Sequence, residues 1–305
     1  MQTRYSDLIH QTFDFPQEEF EVKADGLYFH GIDLMGLIRE HGSPLTFTYL
    51  PKIGTNINRA KDWFNGAIEK QDYKGKYFYC YCTKSSHFAH VVNEALKNDT
   101  HLETSSTYDI EIVNRLIKSG KLNKDNYILC NGFKDNNYLK QIAGVIEQGF
   151  DNVISIIDNY DELDRLSSIT DAHCKVGIRI ASEEEPKFPF YTSRLGIGYK
   201  SIVEFYKNEI ENNPNCTLKL LHFFINTGIN DSAYYWNELT KCLRVYCELK
   251  KVCPSLDSLD IGGGFPIKNS LGFDFDYEYM VDEIINQIKS ACKEHGVEEP
   301  NIFTE

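Results

Sequence analysis

From residue 77 onward the chain alternates between short, β-rich apolar runs and longer amphipathic stretches. The apolar runs at 77–82, 101–104, 127–130, 153–157, 175–180, 219–225, 258–261 and 301–304 predict strands. Between them, 86–98, 109–119, 136–149, 160–169, 201–211, 231–250 and 277–295 carry apolar residues at helical spacing. In the last of these, Met280, Ile284, Ile285 and Ile288 share one face. Gly120, Gly149 and Pro254 stand where helices should end. Strand–helix repetition without a long Gly/Ser linker predicts a parallel α/β sheet. Eight strands predict one that closes, a (β/α)8 TIM-like barrel, with a doubly wound sheet as the alternative.

Both ends of the pattern are irregular. Residues 18–50 hold alternating stretches at 20–22, 27–29 and 45–50, which predict N-terminal β strands belonging to a second domain. The expected division is a β-rich segment at 1–44 and a barrel at 45–305. The eighth strand reaches Glu305 with no covering helix after it. The expectation is therefore the front part of a longer protein, with a C-terminal β-domain absent from this chain.

Composition narrows the classes. A chain of 305 residues, 42% hydrophobic and 25% charged, has ample material for a core, which excludes wholesale disorder. With 45 acidic against 32 basic residues the net charge is −13, which repels phosphate backbones and disfavours nucleic acid while mildly attracting cationic small molecules. There is no run of 18 apolar residues and the start is polar, so neither a membrane span nor a signal peptide is expected, and the cytoplasm is the expected location. The nine cysteines sit mostly in apolar runs or on helical patterns and read as reduced core thiols. Cys80-x-Cys82 has the wrong spacing for a redox pair, and no CxxC suggests zinc. His87-x-x-His90 with His101 lacks a thiolate or carboxylate at ligand spacing, so no metal is expected.

Barrel chemistry sits on the loops after the strands. Those positions hold Thr83-Lys84-Ser85, Cys130-Asn131-Gly132-Phe133-Lys134-Asp135, His222 to Thr227, Asp260-Ile261-Gly262-Gly263-Gly264-Phe265-Pro266, and Glu305. Lys84 directly follows six β-formers and should project at the barrel mouth, where partial desolvation would lower its pKa toward amine nucleophilicity. Three glycines after a buried strand let backbone N–H groups approach an anion, although a flexible turn explains them as well. Neither a Walker motif nor GxGxxG is present. A reactive lysine, an anion nest and a terminal acid on one rim suggest pyridoxal phosphate, whose aldehyde, phosphate and pyridine nitrogen need those three partners.

The same residues resemble the alanine-racemase-like (fold type III) pyridoxal-phosphate decarboxylases, and within them the biosynthetic arginine decarboxylases. The resemblance runs through nearly all of 45–305 and rests on ordered blocks. These are Tyr81-Cys82-Thr83-Lys84, Leu102 to Ser106 with Asp109, Cys130 to Asp135, Ile178-Arg179-Ile180, Ser193-Arg194-Leu195-Gly196, Leu221-His222-Phe223, Asp260 to Gly264, and Thr304-Glu305. It implies that Lys84 condenses with the cofactor aldehyde, Glu305 pairs with the pyridine nitrogen, and Gly262, Gly263 and Gly264 cradle the phosphate. Arg179 would lie under the cofactor, with Glu103 and Asp109 supporting the lysine and ring. Relatives carry His-x-Gly-Ser/Thr where this chain has Phe224-Ile225-Asn226-Thr227. Phe224 could still cover the ring, and Thr227 would join the cofactor contacts, but phenylalanine cannot carry a proton. His222, on the same side of the strand and roughly 6.5–7 Å deeper, is the remaining catalytic histidine candidate.

The function so implied is decarboxylation of a small cationic amino acid, arginine to agmatine and carbon dioxide in polyamine synthesis. Ornithine, lysine, diaminopimelate and carboxynorspermidine are alternatives, as are a non-catalytic regulator and a simple cofactor carrier. The joint retention of Lys84, the glycines and Glu305 weighs against a regulator. In this family the C-terminal β-domain supplies further phosphate contacts, the acid for the substrate's distal cation and a cysteine across a dimer interface. A homodimer or higher homo-oligomer is thus expected of the full-length protein, and poor cofactor binding and incomplete catalysis of this chain alone.

Overall fold

The computed structural model describes residues 19–23, 26–181, 195–225, 232–266 and 275–305. They fall in two compact units, one drawn from 1–49 with 266–276 and the other from 50–265 with 277–305.

In the smaller unit, β1 (Phe20–Lys23) runs antiparallel to β2 (Gly26–Phe29), and β3 (Ile32–Asp33) pairs with the other edge of β2. The predicted strands at 20–22 and 27–29 are therefore present. The predicted strand at 45–50 is not, and 34–41 forms a helix, α1 (Leu34–His41). Asp33 caps it by accepting from the Gly36 N–H at 2.9 Å, a local bond that starts a helix inside a stretch read as β-rich. The alternation at 45–50 has another cause. Phe47 and Tyr49 both set their rings edge-on against Phe29, at centroid distances of 5.7 and 5.4 Å.

The larger unit begins with α2 (Leu50–Lys70), a helix whose apolar stripe is too sparse to be predicted from the pattern. Eight parallel strands follow: β4 (Tyr77–Cys82), β5 (His101–Thr104), β6 (Ile128–Cys130), β7 (Val153–Ile157), β8 (Cys174–Ala181), β10 (Cys216–His222), β11 (Ser258–Asp260) and β12 (Asn301–Thr304). A two-residue β9 (Ile197–Gly198) adds to the end of β8. Consecutive strands pair in order, β8 pairs with β10, and β12 returns to β4 through Ile302↔Tyr77 and Thr304↔Tyr79. That last pairing closes the ring, so the sheet is the predicted barrel and not an open doubly wound sheet.

The strands read as near-continuous apolar runs because both faces are covered; all five residues of β7 are buried. Cys80, Leu129, Ile154, Ile156, Leu220 and Phe303 form one buried cluster drawn from different strands. Outside lie α3 (Ala89–Leu96), α4 (Thr107–Lys118), α5 (Asn136–Glu147), α6 (Glu162–Ile169), α7 (Ile202–Phe205, continued by a wider turn at Tyr206–Ile210), α8 (Ser232–Val252) and α9 (Tyr277–His295). α9 buries the expected Met280, Ile284, Ile285 and Ile288. All nine cysteines are free and buried, as core thiols should be. No helix among the described residues is long and apolar enough to cross a membrane.

Candidate active site

Parallel pairing puts the last residues of neighbouring strands at one level. His222 on β10 lies opposite Arg179 on β8 and Asp260 on β11, and Cys82 on β4 lies opposite Glu103 on β5. Lys84 follows β4 in a turn pinned by Thr83, whose N–H and hydroxyl both donate to the Glu103 carbonyl, at 3.0 and 3.1 Å. The turn delivers the Lys84 amine to a floor of buried acid. Its Nζ stands 3.2 Å from Glu103 Oε1 and 3.3 Å from Glu305 Oε2. The lysine side chain is 45% exposed while the two acids are 0% and 2% exposed, so the amine opens to solvent and its counter-charges do not.

This arrangement corrects the expected direction of the lysine's pKa. Burial does pull it down, but the carboxylates of Glu305 and Glu103 outweigh that pull and hold it above the ordinary lysine range. Lys84 is a cation at neutral pH. Its partners shift too: burial, reinforced by Glu305, pushes Glu103 up to about 7, and burial pushes Asp260 up to about 7. Burial and the neighbouring Asp260 also raise Glu305. The outer oxygen of Glu103, Oε2, is buried without a hydrogen-bond partner. Both carboxylate oxygens of buried Asp158 are likewise unpartnered by hydrogen bonds, although Arg179 Nε lies 3.8 Å from Oδ1.

The glycine turn has steric reasons for its composition. Gly262 sits at φ +67°, and a Cβ there would lie 2.9 Å from both the Phe223 carbonyl and the Phe224 ring. A Cβ on Gly263 would come within 2.6 Å of the Glu305 carbonyl oxygen. Gly264 also has a positive φ, +79°. The Glu305 N–H donates to the Gly262 carbonyl at 3.1 Å, so the terminal acid and the turn are stitched together. Phe224 stands between the two cations, its ring centroid 5.9 Å from Lys84 Nζ and 5.6 Å from Arg179 Cζ.

Lys84, Glu103, Arg179, His222, Phe224, Gly262, Gly263 and Glu305 thus converge at one end of the barrel. Thr227, with Ser193 and Arg194, lies outside the described residues. Asp109 is held locally at the start of its helix. Its carboxylate accepts from the Ser105 N–H (3.0 Å) and the Ser106 hydroxyl (2.9 Å) at the start of α4, where Ser106 is the N-cap. Of the two acids expected beside the lysine, Glu103 meets it and Asp109 caps a helix. His222 is fully buried, with Nδ1 2.8 Å from Asp260 Oδ2 and Nε2 3.3 Å from Asn131 Nδ2; burial lowers its pKa to about 4, so it is neutral.

Asn131 and Asp260 stand inside the sequence motifs without a role of their own, and Asp158 stands outside them. The usable signal was position: each is a polar residue at or just past the end of a buried strand. Lys134, from the same motif as Asn131, turns inward to a fully buried ion pair with Glu162 at 3.3 Å. His87, His90 and His101 form no cluster: His101 Nδ1 accepts from the Tyr127 N–H, and His90 stacks on Phe88. Among the described residues, the groups spaced to hold a metal are Cys82–Glu103–Glu305 and His222–Asp260–Glu305, both within this site.

Residues 56–305 match the family described as pyridoxal-dependent decarboxylase, pyridoxal binding domain. The chain belongs to that family. Curated relatives include the biosynthetic arginine decarboxylases of Prochlorococcus marinus (strain MIT 9215), 27% identical over 90% of this chain and 45% of the relative, and of Geobacter sp. (strain M21), 26% identical over 90% and 46%. The chain spans about half the length of these relatives. Among solved structures, a Campylobacter jejuni biosynthetic arginine decarboxylase matches with a TM-score of 0.76 at 20% identity, over 96% of this chain and 51% of that one. A diaminopimelate decarboxylase from M. jannaschii, in complex with L-lysine, matches with a TM-score of 0.79 at 19% identity, over 94% and 66%. At these identities the structures speak for the fold, an α/β barrel. The cofactor of the family's barrel is pyridoxal phosphate, and the residues present fit it: a lysine at the mouth, an unpartnered buried acid oxygen beside it, and a glycine turn against Glu305 with no room for a Cβ at Gly262 or Gly263.

Proposed function

We propose that this chain is the pyridoxal-phosphate-binding barrel of an amino-acid decarboxylase acting on arginine, releasing agmatine and carbon dioxide. The observation that carries the reading is the Lys84 amine held between two buried acids beside the Gly262–Gly264 turn. When bound, the cofactor supplies an electron sink for the pair left on the substrate's α-carbon as carbon dioxide departs.

The chain's own residues do the rest. Lys84 starts as a cation and must give up a proton before it can attack a carbonyl carbon; Glu103 Oε1, 3.2 Å from Nζ and titrating near neutrality, is placed to receive it. Glu305 would hold the proton of the pyridine nitrogen. Gly263 and Gly264 would present backbone to the phosphate, with Thr227 adding a hydroxyl, while Gly262, whose N–H is given to Asp260 and whose carbonyl accepts from the Glu305 N–H, would shape the turn. Arg179 and Phe224 would bound the ring, and Phe224 excludes water there without exchanging protons.

Arginine as substrate is supported by the naming of the relatives and by a net charge of −13 that favours a cation. A diamino acid or diaminopimelate is the second reading, favoured by the M. jannaschii likeness. Assembly as a homo-oligomer, a cytoplasmic location and a role in polyamine synthesis belong to the same proposal. Pyridoxal phosphate added to the full-length protein should produce a visible absorption band, and Lys84→Ala should abolish it. Incubating the natural full-length protein with arginine, ornithine, lysine and diaminopimelate should yield agmatine from arginine in preference to the other products. A colourless full-length wild type would overturn the cofactor assignment; a different preferred product would overturn only the substrate.

A further inference from the structure

Three buried side chains, Asn131, His222 and Asp260, connect the Glu305 carboxylate to the glycine turn. Asn131 Oδ1 accepts from the Gly132 N–H at 2.9 Å. That bond fixes the amide's orientation and leaves its NH2 group to face Glu305 Oε1 at 3.2 Å and His222 Nε2 at 3.3 Å. Since Asn131 donates, His222 Nε2 must accept, and the single proton of the neutral imidazole must sit on Nδ1. Nδ1 faces Asp260 Oδ2 at 2.8 Å, and Asp260 Oδ1 accepts from the Gly262 N–H at 2.8 Å.

With Asp260 ionised, every bond in the chain therefore has one permitted direction. The opposite arrangement would put a proton on Nε2 and turn the Asn131 oxygen toward it. The Asn131 NH2 would then face the Gly132 N–H, donor against donor. His222 and Asp260 are fully buried and Asn131 nearly so, which leaves no water to repair a mismatch.

We infer that Asn131 and Asp260 are positioning residues: acting through His222, they aim the Glu305 carboxylate and lock its spacing to the Gly262 turn, so that the two ends of the cofactor are received at a fixed separation. The inference rests on the proposed function, because it assigns the acid and the turn to opposite ends of one ligand. It also gives the buried His222 a part beneath the mouth: it is the connector between two strand ends.

Asp260→Asn tests the polarity with almost no change of shape. An amide offers one acceptor and one donor where the chain needs two acceptors. Either the Gly262 N–H or the His222 Nδ1–H then meets an NH2 group, unless the imidazole moves its proton to Nε2 and so opposes Asn131. We expect the histidine 15N spectrum of the unliganded chain to show the Nδ1–H form in the wild type and to lose it in Asp260→Asn. Titration with pyridoxal phosphate, followed by absorbance, should show at least 10-fold weaker binding for Asp260→Asn and for Asn131→Ala. The pH midpoint of the bound cofactor's visible band should shift in both. Asn131→Ala, the milder change, carries the binding test if Asp260→Asn does not fold. Wild-type binding with unchanged affinity and band midpoint in the folded variants would overturn the inference, as would a wild-type His222 protonated on Nε2. Failure of the wild type to bind at all would instead overturn the cofactor reading, while the tautomer measurement would still decide the polarity.

Discussion

At the scale of single residues the site is a concentration of carboxyl groups whose charge is costly to hold. Glu103 is the clearest case, fully buried with one oxygen unpartnered and its pKa raised from 4.5 to about 7 by burial and by Glu305. Between those two pH values the folded protein keeps a proton on Glu103 that the unfolded chain has released. Stability therefore falls as pH rises through the window, and the full penalty is present above pH 7. Lys84, charged throughout that range, moderates the penalty without removing it. Glu103→Gln has no such titration, so its stability relative to wild type should improve by about 1–3 kcal/mol between pH 4.5 and pH 8. Urea unfolding at the two pH values measures this, and parallel profiles for the two proteins would contradict it. The sequence made Lys84, Glu103 and Glu305 legible because each stands at a strand end. It could not show the sign of the lysine's shift, because that depends on two acids 19 and 221 residues away arriving together. The capping bonds of Asp109 were not legible either: a capping acid and a site acid look alike in a Ser-Ser-x-x-Asp string until the helix start is located.

Strands and helices show a similar division between what local pattern reveals and what packing decides. The barrel strands were readable because burial on both faces makes each an apolar run. α1 and α2 were not. α2 buries only Gly54, Ile57, Phe64 and Ala67 along 21 residues, too thin a stripe to stand out, and it carries Pro51 at its start. Inside the barrel wall, the join between β6 and α5 depends on Lys134, fully buried against Glu162 and donating to the carbonyls of Gly132 and Ile156. Glu162 in turn accepts from the N–H groups of Lys134 and Asp158. Lys134→Met should leave a buried carboxylate without its counter-charge and destabilise by about 3–5 kcal/mol. The double variant Lys134→Met/Glu162→Gln removes the stranded charge, and although its amide oxygen can accept from only one of the two backbone donors, it should lose less than the single variant. Denaturant midpoints of the three proteins decide it; a double variant weaker than Lys134→Met would show that the charge itself is not what the pair neutralises.

For the molecule as a whole, the decisive element is the last strand. β12 hydrogen-bonds to β11 on one side and β4 on the other, so it is the piece that turns an eight-stranded sheet into a ring. Ile302 and Phe303 are fully buried, with Phe303 stacked on Phe78 at 4.8 Å and edge-on to Tyr127 at 5.0 Å, and the Thr304 hydroxyl meets Tyr77 at 2.7 Å. Burial of those two apolar side chains contributes about 3–6 kcal/mol, before any account of the two ladders of backbone bonds. Removing 301–305 would leave β4 and β11 as unpaired edges facing each other across a gap too wide to bridge without rebuilding the ring. The expected result exceeds a lower transition temperature: loss of a single cooperative transition by calorimetry, loss of near-ultraviolet circular dichroism, and dye binding to exposed apolar surface. Glu305→Gln separates architecture from chemistry, since it keeps β12 and its ladders and should retain the cooperative transition. A chain lacking 301–305 that still unfolds cooperatively within a few degrees of the intact protein would mean that the strands can close without β12, and that the acid's position is then not a consequence of barrel closure.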